Sequence, residues 1–475
     1  MAIASAIHRK DRNSCSLYHI LSVVILLIAG SALRIIAANG ELWLDEVWNI
    51  KSVQKLHSVF DVYLVQKGMD GHSSLFSCIL FLFSPNLPNF IYRVPSLLFS
   101  ILTLLVLYFN TSGSPQLRFL TLLFFSSSYL FILYGIEARG YSGMILCLAL
   151  GHTSFLRLTT TPPPLKLRDA LIFIVSSCLG FLFHYSFIMW FVRAGIAYAI
   201  SATLNPNLLS RRRLISFLVP TIFIAFIYFI IVRHLPPGDG PHPSYFHTFL
   251  NLMSVTLGGV PLSNKWPTSV FIVFLLAFLF LWITSKEVTE LFKENRCIAT
   301  YYLFSILIAP IAFTVIMQPT IVMPRYYLTS AFVFTALFAS HVHRTRAKIP
   351  PLVFLSCNLL LTCHLIRWHH GNYTKVISRV TESTEQQGPV TIAVDHQFRH
   401  SMMLDYYGNN KVKVLESSRL KDSDILPVWY LAHDLDWGAT PTEEVTLENK
   451  ATYKLDMVTP STLLSGWTTF LYRKK

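Results

Sequence analysis

Charge is what this sequence has least of. Only 13% of its 475 residues are Asp, Glu, Lys or Arg, and the acids number just 25. Soluble domains usually carry about 25% charged residues, so an ordinary water-soluble globular class is excluded. Cysteine is sparse as well: seven, at positions 15, 78, 147, 178, 297, 357 and 363, with none beyond. Most lie within or beside apolar runs, which excludes a disulfide framework and leaves no metal-ligand spacing. No internal repeat stands out, and low complexity is confined to TTTPPP at 159–164.

Apolar residues are plentiful. They make up 53% of the chain, Phe alone contributes 36, and the mean hydropathy is +0.49. Runs at 18–38, 93–109, 118–134, 139–157, 169–185, 187–203, 214–232, 268–284, 298–317, 326–341 and 349–366 approach the length that crosses a bilayer. The run 73–83 is too short to cross and reads as re-entrant or interfacial. The first run follows Arg9, Lys10 and Arg12 as a signal peptide would, but it is long for an h-region and AANGELW is a weak cleavage site, so it is expected to be an uncleaved span.

A net charge of +14 would suit nucleic acid, but the basic residues are spread over short loops, and no nucleic-acid partner is expected. Arg118; Arg157, Lys166 and Arg168; Arg211, Arg212 and Arg213; Lys286, Lys293 and Arg296; and Arg344, Arg346 and Lys348 alternate with connections that hold few. The positive-inside rule then puts the N-terminus in the cytoplasm and the C-terminus outside, in periplasm or endoplasmic reticulum lumen. The expected architecture is an all-α polytopic membrane protein of eleven helices over 1–366, with a long external loop at 39–92. After Arg367 the composition turns polar. PVTIAVD, KVKVLES and VWYLAH read as strands and 396–408 as a helix with a Gly stop, so 367–475 is expected to be a small extracytoplasmic α/β domain. Within it, Asn372-Tyr373-Thr374 is an external glycosylation sequon.

Three constellations lie on the external face. GELWLDEVWNI (40–50) sets Asp45 and Glu46 among tryptophans, just beyond the first span. Its bland reading is a capped interfacial helix with a tryptophan belt. In a helix the two carboxylates diverge by about 100°, so they would serve different partners. YGIEARGY (134–141) places Glu137, Arg139 and Tyr141 between two apolar runs, with Glu137 and Tyr141 expected on one helix face; a local Glu137–Arg139 pair is the alternative. Arg93 and Arg325 add cations suited to phosphate, while Arg34 reads as a snorkelling side chain. His72 and His184 flank helix ends, and Arg193 falls mid-span with no partner apparent. A general base and anion-binding groups at a membrane surface suit a lipid-phosphate substrate.

The order of these motifs resembles the GT-C glycosyltransferases, in the branch of protein O-mannosyltransferases and lipid A aminoarabinose transferases. Arg34 with GELWLDEVWNI resembles that family's first span and Asp-Glu loop. GHSSLFSCILFLF (71–83) resembles its His-Pro-Pro-Leu segment, with Ser73 and Ser74 replacing the prolines. YRVPSLLFSILTLLVLY, SSSYLFILYGIEARGYSGMILCLAL, FLFHYSFIMW and PRYYLTSAFVF follow in the family's order. The resemblance implies a dolichyl- or undecaprenyl-phosphate sugar donor, a protein, lipid or glycan acceptor, and inverting transfer with Asp45 as general base. It implies Arg325 as the leading phosphate ligand, with Arg139 or Arg93 second. Glu46 and Glu137 would position groups or a divalent metal, whose use varies in the family. His72, His184 and Tyr141 complete the expected substrate-binding set. A transporter or flippase for lipid-linked sugars, a polysaccharide polymerase or ligase, and a non-catalytic scaffold are the competing readings. Against the first stand the missing inverted repeats and the gathering of acids in one loop.

Overall fold

The computed structural model describes residues 17–65, 74–160, 166–204, 206–234, 244–263, 266–317, 323–383, 388–422, 426–437 and 439–475. Six helices are long and apolar enough to cross a membrane: Leu17–Ala37, Asn89–Asn110, Phe187–Leu204, Arg211–His234, Thr268–Glu294 and Ile349–Trp368. A bent pair, Pro115–Ser127 with Tyr129–Ile136, makes a seventh. The chain is a multi-pass integral membrane protein, but eleven spans is more than length and composition support.

The shortfall has physical causes. The run 118–134 breaks at Ser128, where the two halves turn by 61°. Three consecutive serines (126–128) sit at the break, and serine hydroxyls compete with the helical ladder. The freed groups are satisfied locally: Tyr129 N–H donates to Asn358 Oδ1 at 2.8 Å, and Arg34 donates to the carbonyls of Phe125 and Ser126 at 2.9 and 3.1 Å. Arg34 also reaches Ser100 Oγ at 2.7 Å and is buried. It therefore caps a broken helix and does not snorkel.

The run 298–317 divides into Arg296–Leu303, a π turn at Phe304–Ile308 and Ala309–Met317. Arg193 donates to the Ser305 carbonyl in that turn (2.9 Å) and to Thr329 Oγ1 and Ser330 Oγ (3.3 and 2.6 Å), which supplies the partners its position demanded. Leu167–Phe183 is only 17 residues long. Tyr141–Thr160 and Leu328–Thr345 are buried along most of their length, sheathed by other helices. Small residues let these helices approach: a Cβ at Gly143 would meet the Phe183 ring, and one at Gly151 would meet Trp190. The run 73–83 forms the eight-residue helix Ser74–Phe81, too short to span.

The polar C-terminal part contains helix Tyr373–Glu382 and a six-stranded sheet. Its strands are β1 (Val390–Val394), β2 (Val412–Glu416), β3 (Trp429–Asp434), β4 (Glu444–Thr446), β5 (Thr452–Thr459) and β6 (Thr468–Lys474), in spatial order β2-β1-β3-β6-β5-β4. β1 lies parallel to both β2 and β3; the remaining pairs are antiparallel. Helix Gln397–Gly408 connects β1 to β2. The sheet is pinned to the membrane bundle. Tyr407 OH accepts from Leu42 N–H at 2.6 Å, and the Glu41 carboxylate takes the N–H groups of Tyr373 and Thr374 at 2.6 and 2.9 Å, capping helix Tyr373–Glu382. The β5–β6 connection reaches deepest: Tyr129 OH bonds to Thr462 Oγ1 at 3.0 Å and donates to the Leu463 carbonyl.

Candidate functional site

Helix Leu44–Gln54 starts directly after Trp43, and its first turn carries Asp45 and Glu46. Acids suit that end, where the helix presents unpaired N–H groups. The Glu46 carboxylate accepts from Trp43 N–H at 3.1 Å. The two side chains then part, as helical geometry requires.

Glu46 turns inward to Arg93, which donates from Nε to Oε1 (2.9 Å) and from Nη2 to Oε2 (2.6 Å). Ala138 N–H adds a fourth bond to the carboxylate, on Oε1 at 2.6 Å, tying the turn to the 137–140 segment. Both side chains of the pair are fully buried. Burial pushes the Glu46 carboxyl upward, but the adjacent guanidinium outweighs it and the group stays below its ordinary range. Arg93 also donates to the carbonyls of Ala38, Gly40 and Glu41. These contacts take up all five of its N–H groups and leave none for a phosphate.

Asp45 turns the other way. One carboxylate oxygen, Oδ2, lies 2.8 Å from Arg139 Nη1 and 3.2 Å from Arg325 Nη1. Arg325 comes from the short 3-10 turn Pro324–Tyr327 ahead of Leu328–Thr345, so the site joins the two ends of the membrane bundle. Both guanidiniums also face the Trp43 ring, at 5.7 and 5.5 Å from its centroid. Arg139 lies 4.9 Å over Tyr141, whose other neighbours are His184 at 4.4 Å and Tyr134 at 5.1 Å.

Glu137 ends helix Tyr129–Ile136 in an extended conformation, and Tyr141 opens the next helix. The two therefore do not share a helix face: the backbone leaves the helix between them. Nor does Glu137 pair locally with Arg139. Its Oε1 accepts from Ser465 Oγ at 2.7 Å, from the β5–β6 connection, and its backbone carbonyl accepts from Ser96 Oγ at 2.5 Å. Burial lifts its carboxyl to about 7, against the pull of Arg139. Among the described residues, Glu137 Oε2, Tyr141 OH and Trp43 Nε1 are buried with no hydrogen-bond partner. Buried polar atoms are normally paired, and exceptions call for an explanation.

The structure thus brings Asp45, Arg139, Arg325, Tyr141 and Glu137 into one neighbourhood, with Glu46 and Arg93 behind them and His184 stacked on Tyr141. His72 lies outside the described residues. The tryptophans do not form a belt facing lipid. Trp43 is buried among the cations and stacks on His370 at 6.1 Å, while Trp48 packs edge-on against Phe398 of the C-terminal part. Three residues escaped sequence reasoning: Trp43 as a site wall, His370 and Ser465. Only Trp43 had a signal, as neighbour of the Asp-Glu pair; nothing local to Ser465 points across 328 residues.

The donor set does not fit a divalent ion. Two guanidiniums hold Asp45, Glu46 is bound to Arg93 and backbone N–H groups, and Glu137 Oε1 is bound to Ser465. A dication would have to displace cations already in contact with the carboxylate.

Glu137 gives a pH prediction. Its folded-state value of about 7 exceeds the ordinary 4.5, so the folded chain holds the proton more tightly than the unfolded chain. Glu137 therefore contributes stability that falls as pH rises from about 4.5 to about 7 and is constant above. Glu137→Gln removes this. Thermal unfolding in detergent should show the wild type gaining on the variant as pH drops through that window, by up to about 3 kcal/mol. A pH-independent difference would refute the assignment.

No family model matches the chain, and no curated protein matches it. Among solved structures it is similar to ArnT from Cupriavidus metallidurans, in a crystal structure bound to undecaprenyl phosphate. The similarity covers 96% of this chain and 98% of that one, at 9% sequence identity and a TM-score of 0.47.

Proposed function

We propose that the chain is a membrane glycosyltransferase that moves a monosaccharide from a polyprenyl phosphate to an acceptor hydroxyl, with inversion and with Asp45 as general base. One observation carries this: a carboxylate held by two arginines on one oxygen, in a neighbourhood where an indole N–H, a phenol and a carboxylate oxygen are buried and unpartnered among the described residues. A sugar phosphate supplies the complement of each: an anion for the arginines and hydroxyls for the three polar atoms. The motif order shared with the GT-C glycosyltransferases supports the reading, and the loop-by-loop charge bias supports an extracytoplasmic site in the bacterial inner membrane or the endoplasmic reticulum.

Without donor, the two guanidiniums occupy one oxygen of Asp45. A phosphate competes for them, because arginine's planar fork matches phosphate oxygens. Drawn to the donor, they release Asp45 to accept a proton. The acceptor oxygen then bonds to the anomeric carbon as its proton passes to Asp45. The bond from that carbon to the phosphate oxygen breaks, and the electron pair leaves with the polyprenyl phosphate, whose charge Arg139 and Arg325 neutralise. Glu46 and Arg93 hold the loop; Trp43, Tyr141 and Glu137 receive the sugar.

Purified protein should bind undecaprenyl or dolichyl phosphate, and Arg325→Met should weaken that binding about tenfold or more, the cost of one charge-assisted bond. Equal affinity in the variant would remove Arg325 from phosphate recognition.

A further inference from the structure

The C-terminal sheet carries a second cluster that the proposed transfer does not use. β1 and β3 are parallel neighbours, with β2 on the far side of β1. The chain thus leaves β1 toward one edge and returns on the other, so the carboxyl ends of β1 and β3 flank a topological switch point. In open α/β sheets that crevice is where ligands bind. Asp395 follows β1, His433 lies in β3, and His400 stands in the first turn of helix Gln397–Gly408.

Their donor atoms converge. His400 Nε2 is 2.8 Å from Asp395 Oδ1, His433 Nδ1 is 2.9 Å from Asp395 Oδ2, and one donor atom from each residue lies within 4.8 Å of the other two. His433 N–H also bonds to Asp395 Oδ2, at 2.8 Å. The surroundings suit metal ligands. His400 Nδ1 faces Tyr373 OH at 3.2 Å, and Trp467 Nε1 donates to that same oxygen at 2.8 Å. A phenol oxygen has two lone pairs, so it can accept from both once His400 carries its proton on Nδ1. That outward hydrogen bond is the one a metal-bound imidazole needs. His396, just before the helix, has a buried Nδ1 with no partner among the described residues.

We propose that Asp395, His400 and His433 form a site for a divalent transition metal of the zinc class. Two imidazoles and a carboxylate are borderline ligands suited to zinc, and three of them leave a fourth position for water or substrate. Each imidazole stays neutral and moves its proton to the ring nitrogen facing away from the metal. For His433 that nitrogen is Nε2, 2.6 Å from Arg399 Nη1. Two donors cannot face each other there, so Arg399 turns away on loading. Its guanidinium already lies 5.4 Å over the Trp467 ring, a contact it can keep while its N–H groups swing off Nε2. The metal would tie β1, β3 and helix Gln397–Gly408 together. Through Phe398 and Tyr407, that helix is the one packed on the segment bearing Asp45.

The test uses the full chain in detergent, stripped with a chelator and titrated with zinc chloride by calorimetry, with metal content measured after dialysis. The expected result is one zinc per chain, with affinity at least about tenfold weaker in His433→Ala, and a zinc-dependent rise in unfolding temperature in wild type alone. No uptake, or equal uptake by wild type and His433→Ala, overturns the site. Should His433→Ala fail to fold, Arg399→Ala decides. It keeps all three ligands and loses the competing guanidinium, so it should bind zinc more tightly than wild type; equal or weaker binding overturns the site.

Discussion

Asp45→Asn is expected to lose sugar transfer by roughly a hundredfold to ten-thousandfold, the range a general base contributes. Detergent-purified protein, a polyprenyl-phosphate sugar and an acceptor extract suffice to measure it. The loss should fall on kcat. The amide is isosteric and still offers an oxygen to one arginine, but it cannot take a proton. It also competes more weakly than a carboxylate for Arg139 and Arg325, so the donor phosphate should bind at least as well as before. The side chain is 15% exposed, so the variant should still fold, with a lowered unfolding temperature because two adjacent guanidiniums lose their shared carboxylate. Transfer within a few-fold of wild type would remove Asp45 from the chemistry. A raised KM with unchanged kcat would make it a binding residue instead.

Arg93→Met should act on stability rather than chemistry. It leaves Glu46 buried with its charge unmatched, and breaking such a pair from one side costs about 3–5 kcal/mol. It also orphans the carbonyls of Ala38, Gly40 and Glu41, so the turn that aims Asp45 should loosen. Adding Glu46→Gln should recover much of the loss, because a neutral amide tolerates the site better than a lone carboxylate. Thermal unfolding of the two single variants and the double completes the cycle. Additive losses would show that the two residues do not act as a pair.

The contrast between Asp45 and Glu46 shows how far the sequence could be read. Their adjacency, with the helical turn angle, was enough to assign them to different partners. It could not say which partners, because Arg93, Arg139 and Arg325 are brought in by tertiary packing from segments far apart in the chain. The membrane class was legible because apolar runs are a one-dimensional signal. The number of crossings was not. The break at Ser128 and the π turn at 304–308 interrupt runs that hydropathy treats as continuous, and buried helices such as Tyr141–Thr160 need no lipid-facing surface. The strands β1 to β3 showed through their β-branched and aromatic runs. Ser465 did not, since a serine in a connecting loop gains meaning only from the buried carboxylate it meets.

That late contact also sets an order of synthesis. A ribosome that has finished the last membrane helix has not yet made residues 462–465, so until then the Tyr129 hydroxyl and Glu137 Oε1 lack these partners. These contacts form only when the β5–β6 connection emerges and packs back. A nonsense codon between the last membrane helix and residue 462 would leave the Tyr129 hydroxyl and Glu137 Oε1 without these partners.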